Sequence, residues 1–156
     1  ARADDTGGPL DSGDTPDASP PQADAGPAPL PTTRAEIVAF VQSGAYTAWA
    51  AEPARHASTG PHGGAVRTFV NDTLYTSLKQ GRASHPSGSI AVKELYTGAN
   101  RTGWAVDIKG DDGVWIYYEG FEPRLDQYYF RGDGNLCANC HAGGVDRVLV
   151  PASAFP

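Results

Sequence analysis

The sequence of 156 residues contains no methionine, only two cysteines and no long run of apolar residues. Two cysteines rule out a scaffold held by several disulfides and any site that requires four thiolates. No apolar run reaches the roughly 18 residues that indicate a transmembrane helix. Position 1 is alanine, so we expect a processed or trimmed chain from which an N-terminal signal segment has been removed.

Charged residues are also scarce, at 19% of the sequence, and the formal net charge of −6 is unevenly spread. Residues 1–31 hold six aspartates and a single basic residue, Arg2, whereas residues 32–156 are nearly neutral. A nucleic-acid-binding domain is expected to carry a basic patch or stripe. We therefore expect no nucleic-acid partner.

Proline is concentrated in the N-terminal segment, which holds seven of the 13 prolines. Only Leu10 and Leu30 in that segment are large and apolar enough to anchor a core. We interpret residues 1–31 as a disordered tether rich in Pro and Asp, and residues 32–156 as the folded domain. Such a spacer is typical of a domain held away from a membrane or carried through a cell-wall layer, although an N-terminus without a role has the same composition.

The rest of the chain carries the signals of one mixed domain with more strand than helix. Thr33 and Glu36 have the spacing of a capping box, and apolar residues at helical spacing follow them. Residues 103–109 alternate strictly, and Gly110–Gly113 predicts a turn into the next strand, so the two strands should form a hairpin. We predict helices at about 34–43 and 45–52, a loop at 53–64, a strand at 65–70, a helix from Asn71 to about Gln80, and strands at 89–97, 103–109 and 114–119. The expected fold class is α+β, a mainly antiparallel sheet with one or two helices packed on a face.

One motif dominates the chemistry of the sequence. Residues 137–141 read C-A-N-C-H, which has the C-x-x-C-H form of a c-type haem attachment site. On a helical turn, residues three apart lie on one face. Cys137 and Cys140 can therefore reach the two vinyl groups at one porphyrin edge, and His141 is then placed to ligate the iron. We expect one covalently attached haem c near the C-terminus.

Three other interpretations of the motif remain open. A zinc site of two cysteines and two histidines would need a second histidine from among His56, His62 and His85. A dithiol redox site usually lies in a βαβ context, which the sequence lacks. The motif could also occur by chance, although both cysteines of the chain are in it. Haem attachment takes place outside the cytoplasm in bacteria, so the haem interpretation predicts a periplasmic or other extracytoplasmic location.

The sixth ligand of the iron cannot be methionine, because the chain contains none. The histidine candidates are His62, His85 and His56, and each also fits an ordinary loop residue. The strands at 103–109 and 114–119 supply Trp, Val, Ile and Tyr, so we expect an apolar wall on the distal side of the iron. Without a strong second ligand, the iron should be five-coordinate or weakly water-bound.

Four segments of the chain share their order and spacing with a known family. They are GPHGGAVRTFVN (60–71), HPSGSIAVKELY (85–96), VWIYYEG (114–120) and LCANCHAGGVDRVLVP (136–151). Over roughly residues 60–151 the chain resembles the cytochrome P-460 family, which includes the cytochromes c′-beta. The resemblance implies a mostly antiparallel β fold, often dimeric, with one haem. It also implies binding or oxidation of small nitrogen species such as NO and hydroxylamine.

The resemblance also points to candidate catalytic residues. Hydroxylamine-oxidising members of the family carry a lysine cross-linked to the porphyrin and a carboxylate on the distal side. Lys93 is the only lysine on the matching strand, where alternation places it on one face with Ala91 and Thr97. It does not align with the cross-linking lysine of the family, so we expect a porphyrin without a cross-link. Asp107 and Glu119 are the candidates for the distal carboxylate.

Two classes of function follow from these observations. The first is a haem enzyme or sensor with an open iron site that binds or oxidises a small nitrogen species, with oxidoreductase activity of the hydroxylamine- or NO-oxidising type. The second is a one-electron carrier with a six-coordinate haem, which requires a redox partner protein. The absence of methionine and of a well-placed histidine favours the open site.

Overall fold

The computed structural model describes residues 29–156, so nearly all of the predicted tether lies outside the described residues. Leu30 packs against the apolar core, and the Tyr129 hydroxyl donates a hydrogen bond of 2.6 Å to the carbonyl of Thr32. The packed part of the chain therefore includes Leu30, which lies ahead of the predicted boundary at residue 32.

The described residues form three α-helices and seven β-strands, joined by turns and two short 3-10 helices. The elements in chain order are α1 (Arg34–Ser43), a 3-10 helix (Ala45–Ala48), β1 (Ala50–Ala51), β2 (His56–Ala57), β3 (Ala65–Val70), α2 (Asp72–Lys79), β4 (Ile90–Thr97), β5 (Asn100–Lys109), β6 (Trp115–Phe121), β7 (Arg124–Arg131), α3 (Leu136–His141) and a 3-10 helix (Ala152–Ala154). The fold is α+β with a mainly antiparallel sheet, as predicted, but it has three helices rather than one or two, and they pack on both faces of the sheet. None of the described helices is long and apolar enough to cross a membrane.

The strands form one sheet in the order β1-β3-β4-β5-β6-β7, and β2 pairs with the other end of β3. All of these pairs are antiparallel. The hairpin predicted over 103–119 is confirmed as β5 and β6, and Gly113 adopts a left-handed φ of 78° in its turn. Strand β7 carried no sequence prediction and forms the edge of the sheet.

Local capping signals explain why the first two predicted helices begin where they do. The Thr33 hydroxyl accepts the N–H of Glu36, and the Glu36 carboxylate accepts the N–H of Thr33 at 2.8 Å, so the capping box is complete. The Asn71 side chain caps α2 in the same way. The helix predicted at 45–52 is wrong beyond Ala48, because Ala50–Ala51 pairs with the end of β3 and its backbone bonds are used in the sheet.

Alternation divides the central strands into two faces with different roles. One face carries the larger apolar core, in which α1 packs on β4, β5 and β6. Its buried members include Ile37, Val41, Tyr46, Val92, Trp104, Val106, Ile108, Ile116 and Tyr118. The opposite face carries Ala91, Lys93, Asp107 and Tyr117, and it is covered by α2, α3 and the C-terminal segment. The C-x-x-C-H motif therefore lies over this second face.

Candidate functional site

Helix α3 consists almost entirely of the C-x-x-C-H motif. Asn135 begins it, since its side-chain oxygen accepts the N–H of Ala138 at 2.9 Å. Cys137 is half-buried and Cys140 is exposed, and neither forms a disulfide. The helical turn thus presents two free thiols on one side, as the spacing predicts.

The imidazole of His141 is buried at the end of this helix, with 7% of the residue exposed. Its Nδ1 lies 2.9 Å from the carbonyl oxygen of Arg147. Because a carbonyl only accepts hydrogen bonds, Nδ1 carries the hydrogen and Nε2 is left as the nitrogen that can ligate a metal. The same bond fixes the plane of the ring.

The Asp107 carboxylate lies beside His141, with its Oδ2 3.4 Å from the Nδ1 atom. Its side chain is 19% exposed, in the middle of β5. Burial raises the pKa of Asp107, against the lowering effect of the neighbouring His141 and Lys93. Asp107, a candidate for the distal carboxylate, thus lies on the Nδ1 side of His141, opposite the nitrogen that can ligate a metal, and its catalytic role stays a prediction.

His62 and Glu119 form a second pair at the same site. The Nδ1 of His62 donates to Oε2 of Glu119 at 2.7 Å, and the two side chains are 14% and 18% exposed. The His62 ring centroid lies 6.5 Å from that of His141. Of the three histidines predicted as sixth ligands, His62 alone has its ring against that of His141, and its Nε2 is not used by the bond to Glu119.

Two cavities meet at His62, Cys140 and His141. The larger, of about 450 Å³, is also lined by Lys93 and Thr68, and the smaller, of about 260 Å³, extends past Cys137 and Glu119. Volumes of roughly 300–1,000 Å³ are usual for cofactor and small-molecule sites. A third space, of about 20 Å³, touches Lys93, Asp107 and His141, and is large enough for about one water molecule. The structure thus brings Lys93, Asp107 and Glu119 to one site with the motif.

Of the residues expected to form an apolar wall, Tyr117 of β6 lies beside His141, with the two ring centroids 5.5 Å apart. Trp104, Val106 and Ile108 lie in the core on the other face of the sheet. The face toward α3 takes the alternate residues of the same strand, including Asp107. A register shift after Leu95 also interrupts the alternation that was expected to continue to Thr97.

The remaining two histidines have other roles. His85 is 2% exposed, and its Nδ1 and Nε2 lie 2.8 Å from the Ser77 hydroxyl and 3.2 Å from the Val145 carbonyl oxygen. Both nitrogens of His56 are likewise engaged, by the Ala57 carbonyl at 2.9 Å and the Glu52 carboxylate at 3.1 Å. Neither ring is free to ligate iron in this arrangement.

The residues of the motif fit a covalently attached haem. Within residues 29–156 no group of three or more His, Cys, Asp or Glu side chains is arranged to hold a metal ion. Burial raises the pKa of the Cys137 thiol to about 11, whereas a reactive dithiol requires a lowered pKa. Two free thiols, a buried imidazole with an available Nε2 and an adjacent cavity together suit a c-type haem.

Two features of the site were not foreseen from the sequence. Asp146 and Arg147 form a turn behind His141, and Lys109 binds Asp146 with an Nζ–Oδ2 distance of 2.7 Å. The G-G-V-D-R sequence after the motif indicates a turn, but it does not indicate a partner 37 residues earlier on β5.

The comparisons with known proteins assign no family to this geometry. No protein-family model, curated protein or solved structure matches the chain. The resemblance to the cytochrome P-460 family therefore depends on the four segments of sequence and stays a prediction.

Proposed function

We propose that the chain is an extracytoplasmic mono-haem c-type cytochrome whose open or weakly ligated iron binds or oxidises small nitrogen species such as NO and hydroxylamine. One observation carries the proposal: the Arg147 carbonyl holds Nδ1 of His141 and leaves Nε2 available next to two free thiols. If His141 had only a structural role, its second ring nitrogen would be expected to form a hydrogen bond rather than to remain unused beside Cys137 and Cys140.

Each residue of the motif has a defined task in this proposal. Cys137 and Cys140 would hold the porphyrin through thioether bonds, and His141 would supply the proximal ligand through Nε2. When bound, haem would supply a redox-active iron that can take a small ligand, and the polarity of the pocket would determine which chemistry follows.

A polar cavity lining suits a ligand that gains or loses protons. Oxidation of hydroxylamine releases protons as well as electrons, and the electrons would pass to a redox partner protein. The Glu119 carboxylate lines the cavity beside His62 and can accept protons there, whereas Asp107 lies on the Nδ1 side of His141, away from the nitrogen that would ligate the iron. The Lys93 ammonium lines the adjoining cavities and can donate hydrogen bonds to a small polar ligand.

A second candidate function is one-electron transfer by a six-coordinate haem. The observation that favours it is the position of His62, whose ring faces that of His141 and is oriented by Glu119. A carboxylate bonded to the far nitrogen of a histidine is the usual arrangement around a metal-binding imidazole. His62 and His141 would then both hold the haem, which would supply one-electron transfer.

The first experiment tests attachment. After expression with haem-maturation machinery, the intact mass of the protein should exceed the mass of the polypeptide by one haem group. The double variant Cys137→Ala/Cys140→Ala should show the bare polypeptide mass. A wild-type protein that carries no added mass under these conditions would refute the proposal.

The second experiment separates the two functions. An open site predicts a high-spin ferrous spectrum and rapid CO binding, which His62→Ala should leave unchanged. A low-spin wild type that becomes high-spin in His62→Ala would instead establish the electron carrier. His56→Ala is the matched control, since His56 lines the larger cavity but has both nitrogens engaged. A strongly red-shifted ferrous Soret band that Lys93→Ala abolishes would establish a lysine cross-link, contrary to our expectation.

A further inference from the structure

The turn that follows α3 has a backbone conformation that its residues disfavour. Asp146 and Arg147 have φ angles of 44° and 72°, in the left-handed region. The flanking residues Val145 and Val148 exchange backbone hydrogen bonds of 3.0 and 2.9 Å, so the two strained residues form the corner of a tight hairpin. Turns of this kind usually carry Asn-Gly, because a side chain with a β-carbon is strained there.

The Asp146 carboxylate is held by four donors from three different parts of the chain. Its Oδ2 accepts from Lys109 Nζ at 2.7 Å, from the backbone N–H of His85 at 2.7 Å and from the Ser84 hydroxyl at 3.2 Å, and its Oδ1 accepts from Trp115 Nε1 at 3.3 Å. Burial would raise the pKa of Asp146, but these bonds, above all that from Lys109, lower it, so the group is a bound carboxylate.

Lys109 connects this carboxylate to the rigid part of the molecule. It ends strand β5, and its side chain is 11% exposed. Its Nζ also donates to the His85 carbonyl at 2.8 Å. In the sheet Lys109 lies opposite Trp115 of β6, so two adjacent strands hold the same carboxylate. Such a set of contacts can keep a strained turn in place.

The strained turn presents one functional group to the site. The carbonyl of Arg147, directly after Asp146, accepts the hydrogen bond of 2.9 Å from His141 Nδ1. Were the turn to relax, this carbonyl would rotate away from the imidazole. The Arg147 side chain is held separately, by the Ala138 carbonyl at 3.0 Å and the Asp133 carboxylate at 2.7 Å.

We propose that Asp146, anchored by Lys109 and Trp115, is a positioning residue that fixes the Arg147 carbonyl against His141 and thereby sets the donor strength of the proximal imidazole. The inference rests on the proposed function, because it concerns a haem bound through His141. A hydrogen bond from the far nitrogen makes an imidazole a stronger ligand. A stronger ligand stabilises ferric iron, so the anchored turn holds the reduction potential low.

The experiment compares two isosteric substitutions in the haem-loaded protein. Asp146→Asn removes the charge paired with Lys109, and asparagine tolerates the left-handed conformation. Asp133→Asn is the matched control, since it removes the exposed ion pair of Arg147 and leaves the anchor intact. The measurements are the reduction potential at fixed pH and the iron–histidine stretching frequency of the ferrous protein.

We expect Asp146→Asn to raise the potential and to lower the stretching frequency, with up to about a tenfold change in the redox equilibrium constant, or about 59 mV for a one-electron couple. Asp133→Asn should reproduce the wild type. Adding Arg147→Gly to Asp146→Asn should restore part of the shift, because glycine adopts the left-handed conformation without strain. If Asp146→Asn does not fold, Trp115→Phe removes one donor alone and should give a smaller shift of the same sign.

The outcomes distinguish this inference from the proposed function. If intact mass shows the haem attached and the potentials of Asp146→Asn and Trp115→Phe equal that of the wild type, the positioning role is refuted and the cytochrome stands. If the wild-type protein carries no haem, both are refuted together.

Discussion

The loop that carries His62 into the site ends in two consecutive glycines, and alanine at each of them should have different effects. Gly63 and Gly64 both have left-handed φ angles, of 64° and 56°. A β-carbon on Gly64 would lie 2.1 Å from the carbonyl oxygen of Tyr96, whereas one on Gly63 would meet nothing within 4 Å. Both substitutions thus strain the backbone, and only Gly64→Ala also collides with β4.

The expected magnitudes follow from these two contributions. Left-handed backbone costs a residue with a β-carbon about 1–2 kcal/mol, and the reduced freedom of the unfolded chain offsets about 0.4–1 kcal/mol of that. Gly63→Ala should therefore lower the free energy of unfolding by about 1 kcal/mol. At Gly64 the obstacle is backbone, so the forced shift adds about 1–3 kcal/mol. The difference of about 2 kcal/mol corresponds to about 8 °C in melting temperature for a domain of this size.

The assay is urea unfolding of the two variants, followed by tryptophan fluorescence and supported by thermal melts. The Gly64 carbonyl accepts the N–H of Ser58 at 3.0 Å and closes the loop that holds His62. If the loop backbone shifts to relieve this collision in Gly64→Ala, the hydrogen bond from His62 to Glu119 should therefore also be weakened. Equal losses of stability in Gly63→Ala and Gly64→Ala would refute the reasoning, because the collision would then have no cost.

Three further predictions concern parts of the fold around the site. Asn71 accepts N–H groups from both α2 and β4 and donates to the loop between them, so Asn71→Ala should lower the unfolding free energy by about 3 kcal/mol in urea titrations, about 1 kcal/mol for each bond. Asn71→Asp keeps both acceptor bonds and should lose only about 1 kcal/mol; equal losses would contradict this assignment. Burial lowers the pKa of His85 below its ordinary value of 6.5. His85 is therefore protonated more readily in the unfolded chain than in the folded one, so the free energy of unfolding should fall as the pH drops below about 6.5. His85→Gln should flatten that slope in urea midpoints measured against pH; an unchanged slope in this variant would count against the prediction. Deletion of residues 1–28 should leave the melting temperature unchanged, whereas deletion through Leu30 should lower it, because Leu30 packs on the core; a shift above roughly 5 °C in the shorter deletion would mean that the N-terminal segment packs on the domain.

Elements with short-range signals could be predicted from the sequence, and contacts between distant strands could not. The capping box at Thr33, the cap at Asn71 and the hairpin of β5 and β6 each depend on residues a few positions apart. Strand β7 carries no such signal, because it is an edge strand with several exposed side chains and no clean alternation. Its eight residues were therefore left without a prediction.

The sequence names candidate residues for the site but does not give their arrangement. Alternation groups Asp107 with one set of side chains and Trp104 with another, but it does not tell which set meets the motif. That choice depends on how α1 and α3 divide the two faces of the sheet. The pair of His62 with Glu119 spans 57 positions of sequence and depends on the same long-range packing.

The register of the sheet aligns five residues of the site in one row. Thr68, Lys93, Ala105, Glu119 and Tyr128 are successive partners across β3, β4, β5, β6 and β7. Their neighbours along each strand point to the opposite face, so the row and the larger apolar core use separate side chains. A combinatorial library at these five positions would vary the charge and shape of one cavity wall. The larger apolar core would stay unchanged. The scaffold is accordingly suited to acquiring new small-molecule specificities by substitution along one row.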